Sequence, residues 1–94
     1  MSDGRGGDPS EVPYDVRASL AQLLENARST AREGDETTAA ALLDTADTVA
    51  ANKLPPGERR AAIRRGCDAA SDALPNGDLA AAYAAAAVER VPEA

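Results

Sequence analysis

The chain has 94 residues, sixteen Asp and Glu against ten Lys and Arg, a formal net charge of −6 and a pI near 4.5. It has no His, Phe or Trp, one Cys and a single lysine, and alanine fills most of the remaining positions. One domain with a thin core follows from this length and bulk, and the acidic field argues against a default of nucleic-acid or anionic-membrane binding.

Carboxylates are spread through every segment and arginine almost replaces lysine, which implies a hydrated acidic surface suited to concentrated salt. No run approaches the eighteen or so apolar residues of a membrane span, and the N-terminus lacks the layout of a signal peptide, so a cytoplasmic location with no membrane contact is expected. A lone Cys67 excludes an internal disulfide. Without histidine the chain lacks the ligands of a standard zinc site, and no calcium or phosphate loop is present, so no cofactor is expected.

Residues 1–12 are rich in Gly, Asp and Ser without an apolar period, which predicts a disordered tail. Its single Arg5-Gly6-Gly7 is weak support for RNA binding. From Pro13 the pattern becomes helical, with Val16, Leu20, Leu23, Leu24, Ala27 and Ala31 on one stripe. Gly34 suits a left-handed position after that helix, and Asp35 suits the N-cap of the next. The second helix, about Glu36 to Asn52, places Ala39, Leu42, Leu43, Ala46, Val49 and Ala50 inward and Asp44, Thr45, Asp47 and Thr48 outward.

Leu54-Pro55-Pro56-Gly57 stops it, and Pro56 and Glu58 suit the first turn of a third helix with the stripe Ile63, Cys67, Ala70 and Leu74. Pro75-Asn76-Gly77-Asp78 is the next break. The last helix, about Leu79 to Arg90, is nearly pure alanine, with Leu79 and Tyr83 as its bulky anchors and Tyr83 expected in the core. Residues 92–94 form a short C-terminal tail, leaving 13–91 as one helical domain. The reading is all-α: a four-helix bundle of two antiparallel helical hairpins. Sliding the chain by 43 residues superposes Pro13 on Pro56, Arg17 on Arg60, Leu20 on Ile63, Ala27 on Ala70 and Gly34-Asp35 on Gly77-Asp78, consistent with an internal duplication.

Gly34-Asp35 followed by Ala39, Leu43 and Ala46 resembles the turn and second helix of a tetratricopeptide repeat, without that family's aromatic positions. The segment from Val12 to Leu74, with Asn52-Lys53-Leu54-Pro55 and Arg65-Gly66-Cys67, resembles small uncharacterised acidic helical proteins of halophilic archaea. That resemblance implies a salt-rich habitat and carries no activity.

The run Lys53, Arg59, Arg60, Arg64 and Arg65 alone breaks the acidic background. Arg60 and Arg64 lie one turn apart, so both could reach one anion or one partner carboxylate, aided near Arg59 and Arg60 by the helix N-terminus. The competing structural reading pairs Arg64 and Arg65 with Asp68. Cys67 sits on an apolar stripe as a small hydrophobe, with no histidine to act as its base. Tyr14 lies off its helix's stripe and is expected to pack on a neighbouring helix end.

These residues point to a non-enzymatic interaction module that binds a protein partner or itself through an alanine-rich groove and the adjacent arginines. The alternative is a small nucleic-acid- or nucleotide-binding regulator using the same five cations.

Overall fold

A computed structural model describes residues 12–74 and 76–91. The tails expected at 1–12 and 92–94 therefore lie outside the described residues, Val12 excepted, and so does Arg5-Gly6-Gly7. Val12 belongs to the fold: it is buried, and its carbonyl accepts from Arg17 Nη1 at 2.9 Å.

Four helices run in chain order: α1 (Tyr14–Arg32), α2 (Glu36–Lys53), α3 (Glu58–Asp72) and α4 (Gly77–Val88). Each packs on its sequence neighbours, and α4 returns to pack on α1, so the four form a closed square of antiparallel helices. Most positions of the expected stripes line the interior, whereas Val16, Leu23, Leu42 and Val49, expected inward, are only partly buried at its edge. Leu20, Leu24, Ala27 and Ala31 of α1 meet Ala39, Leu43, Ala46 and Ala50 of α2, with Ile63, Cys67 and Ala70 of α3 in the same cluster. Among the described residues only Leu20, Leu24, Leu43 and Ile63 are both large and fully buried, and alanines are ten of the nineteen buried core residues.

The first hairpin turn follows its sequence. Gly34 adopts φ +84°, donates to the Ala31 carbonyl at 3.1 Å, and Asp35 N–H reaches back to Thr30 O at 2.9 Å, which closes a Schellman motif. Asp35 then caps α2 by accepting from Thr38 N–H at 3.2 Å. Between α2 and α3, Leu54 is extended ahead of Pro55, and Gly57 is the N-cap. Pro56 thus precedes α3 and takes no part in its first turn, because the helix is entered through Gly57.

The second hairpin departs from the 43-residue offset. Asn76, not Asp78, caps α4, accepting from Leu79 N–H at 3.1 Å, so the helix begins at Gly77, two residues earlier than expected. First helices keep the offset: Leu20, Leu24, Ala27 and Ala31 correspond to the buried Ile63, Cys67, Ala70 and Leu74. Second helices correspond two residues closer: Ala39, Leu43, Ala46 and Ala50 match the buried Ala80, Ala84, Ala87 and Val91, and cap Asp35 matches cap Asn76. At the 43-residue offset α3 stops three residues sooner than α1, and its following turn is one residue longer.

Two glycines set the spacing of α4. A Cβ on Gly66 would meet Ala87 Cβ at 2.9 Å, and one on Gly77 would collide with the Ala31 carbonyl oxygen of α1. The fourth helix is therefore held close to both neighbours by the absence of side chains.

Candidate functional site

The five cations of the central run divide. Arg60 Nη1 donates to the Ala51 carbonyl at 3.4 Å, and Arg64 Nε donates to Asp47 Oδ1 at 2.9 Å. Both partners lie one turn apart on α2, matching the one-turn spacing of the two arginines on α3. They therefore join α3 to α2. This corrects two local expectations: Arg64 bonds Asp47 across the helices instead of Asp68 along its own, and Asp47 faces α3 instead of turning fully outward. The hydrogen bond from Arg64 to the Asp47 carboxylate holds the guanidinium above its ordinary pKa, and the charge of Asp47 adds to this.

Arg64 and Arg65 line a surface groove of about 340 Å³ with Asp47, Ala61 and Asp68. Two cations face two carboxylates there, so the groove carries no excess positive charge. Lys53 and Arg59 are exposed at the turn between α2 and α3, away from it. The structure thus brings Arg64 and Arg65 together, commits Arg60 to a backbone carbonyl, and leaves Lys53 and Arg59 at one end of the bundle.

Cys67 is buried, as its stripe implied. Burial, with Asp47 adding to it, pushes its thiol up to about 12. The folded state therefore keeps the thiol protonated at neutral pH, the opposite of what a nucleophile needs. The unfolded chain ionises this thiol in the ordinary range while the fold resists, so stability falls as pH climbs through that range towards 12.

Tyr83 is 40% exposed and Leu79 45% exposed, so neither anchors the core; both turn outward, which corrects the sequence expectation. The inner face of α4 is instead Ala80, Ala81, Ala84 and Ala87. Bulk cannot be accommodated there because α4 rides close against Ala31 and Gly66. Tyr14 is 65% exposed, with the Arg17 guanidinium 5.8 Å from its ring centroid, so it meets its own helix and not a neighbouring one.

Leu79, Ala82, Tyr83 and Ala86 form an uncharged outer stripe at i, i+3, i+4 and i+7. Beside it on α3 lie the half-buried Ala62 and Ala69, on the flank that also carries Gly66, and the exposed Arg65 and Asp72 border them. The corresponding face of the first hairpin is Ser19, Gln22, Asn26, Ser29, Thr38, Ala41, Leu42 and Thr45. Six of these eight positions carry a hydroxyl or an amide, so the fold does not by itself impose the more uniformly apolar α4 stripe of the second face.

A closed four-helix bundle with one small-residue, apolar outer face describes the molecule. The chain belongs to the family whose model is Domain of unknown function (DUF8101), which matches residues 6–93. Comparison with curated proteins and with solved structures yields no match. Among the described residues, no group of three or more Cys, Asp or Glu is arranged to hold a metal ion, and no helix is long and apolar enough to cross a membrane.

Proposed function

We propose that the chain is a non-enzymatic helical interaction module of a halophilic cytoplasm, and that it binds a protein through the outer face of α3 and α4. The observation that carries this reading is α4 itself: from Leu79 to Val88 it has no charged residue, yet only one side of it is buried in the bundle. A helix apolar on all sides is ordinarily covered on all sides. Tyr83 is the type of residue that anchors interfaces, since its ring offers area and its hydroxyl stays wet. The acidic remainder of the surface keeps such a face soluble in concentrated salt, where charge repulsion is screened within about 3 Å at 1 M.

The arginine run contributes less to this reading than the apolar face does. A nucleic-acid or nucleotide role has weaker support, because Arg60 and Arg64 are engaged with α2 and two carboxylates share the Arg64–Arg65 groove.

Tagged protein, used to capture partners from its native extract at native salt, tests the proposal. Capture should survive nuclease and be lost in the double variant Leu79→Glu, Tyr83→Glu with helicity unchanged. Capture that ignores these substitutions, or that nuclease abolishes, contradicts it.

A further inference from the structure

We infer that the α3–α4 face is occupied by a second copy of this chain, joined through an antiparallel two-fold contact. The inference rests on the interaction-module reading and names its partner. It comes from the self-complementarity of the face, in both charge and bulk.

The level of α3 relative to α4 is fixed by Gly66, whose missing Cβ position lies 2.9 Å from Ala87 Cβ and 3.7 Å from the Tyr83 carbonyl oxygen. Because the helices are antiparallel and rise equally per residue, residues 68 and 69 of α3 stand level with 82 and 83 of α4. A two-fold axis at that level, lying in the face and perpendicular to the helices, sets α3 on α3 and α4 on α4 of the second copy. Arg65 then stands opposite Asp72 of the second copy, and Asp72 opposite its Arg65.

The same axis treats α4 consistently. Leu79 falls against Ala86 of the second copy and Tyr83 against its Ala82, so each large side chain meets a small one. One axis satisfies both helices although the two patterns are independent in sequence. Neither Arg65 nor Asp72 has an ion-pair partner within 4.0 Å among the described residues, so Arg65, which also borders the groove with Asp47 and Asp68, can turn to that contact without breaking an ion pair. On the first hairpin the corresponding positions are Gln22 and Ser29, which carry no charge, so its face lacks the self-complementary pattern.

The size of the patch sets the strength. Two helices about 20 Å long and 8–10 Å apart offer roughly 400 Å² per copy, near half of the ~800 Å² of a standard interface. The dimer is therefore concentration-dependent and exchanges readily.

Sedimentation equilibrium between roughly 1 µM and 1 mM, a range suited to a small interface, tests this at the lowest salt that keeps full helicity. The unsubstituted chain should show a monomer–dimer equilibrium. Arg65→Asp or Asp72→Arg alone should weaken it by about tenfold, since each places two like-charge pairs across the axis. Mixing those two single variants should restore association as a heterodimer, and combining both reversals in one chain should restore it as a homodimer. Far-ultraviolet circular dichroism of each variant checks that these exposed substitutions leave the helices intact.

A chain that stays monomeric throughout the range overturns the inference, as does a dimer that neither reversal moves. A monomer that still captures another protein through Leu79 and Tyr83 removes the second copy and leaves the interaction reading standing. A monomer whose capture ignores those residues removes both.

Discussion

Gly77→Ala is expected to destabilise the bundle by about 3 kcal/mol, the upper end of what overpacking costs, although alanine is the better helix former by about 1 kcal/mol. The added Cβ would strike the Ala31 carbonyl oxygen and crowd the adjoining carbonyl carbon, both part of the α1 backbone. Backbone cannot rotate aside as a long side chain would, so α4 must move off α1 and open the interface that closes the bundle. For a domain of this size such a loss lowers Tm by about 15 °C, readable in a thermal melt followed by circular dichroism. Gly66→Ala should cost less, because its Cβ meets the methyl of Ala87 at 2.9 Å and helices can separate by a few tenths of an ångström. A Gly77→Ala protein that melts with the parent would show that α4 and α1 do not approach as described.

Ile63→Ala should be comparably damaging, at about 3–4 kcal/mol. Ile63 is one of only four large side chains that are fully buried among the described residues, and more than half of the core residues around it are alanines. Alanine has no rotamers with which to fill a vacated space, so the cavity persists and the full packing loss is felt. Against a total stability of about 5–15 kcal/mol, one such side chain is a large share. Urea unfolding should show a lower midpoint with an unchanged slope. Leu79→Ala, on the exposed face, should stay within about 0.5 kcal/mol of the parent in the same measurement of the monomer. Equal effects at the two sites would contradict the division between core and face.

The architecture was legible where apolar contrast was strong. Leu20, Leu24, Leu43 and Ile63 stand out from polar neighbours at helical spacing, and Gly34-Asp35 is a turn and cap by chemistry alone; all fall where the sequence puts them. Contrast fails in α4, because a helix of alanines has no preferred inner face by pattern. The two bulky residues then look like anchors, whereas the space between Ala31 and Gly66 admits only small side chains and turns Leu79 and Tyr83 outward. Bulk identifies the core only when the neighbouring backbones leave room for it.

Ion pairing is hidden from the sequence for a related reason. Arg64 and Asp68 are neighbours along one helix and visible at once in the sequence, while the bond actually formed reaches Asp47, seventeen positions away, through the packing of α3 on α2. The α3–α4 face is hidden for the same cause, since it combines Arg65 and Asp72 of one helix with Leu79 and Tyr83 of the next. One signal for it was present: ten consecutive residues of α4, Leu79 to Val88, lack charge in a chain that is otherwise densely charged. The shift from a 43-residue to a 41-residue correspondence also needed structure, since Gly77-Asp78 imitates Gly34-Asp35 while Asn76 performs the capping.

Tyrosine nitration with tetranitromethane tests most directly whether the α3–α4 face is covered in the working protein, because the chain has only two tyrosines and one serves as the control. Tyr14, 65% exposed and remote from the proposed contact, should react at the same rate in dilute isolated protein and at native concentration in its own extract and salt. Tyr83 should react readily in the dilute protein and become protected in the extract. Tyr83 that nitrates as fast in the extract as in isolation would show the face to be bare and would contradict its role as a binding surface.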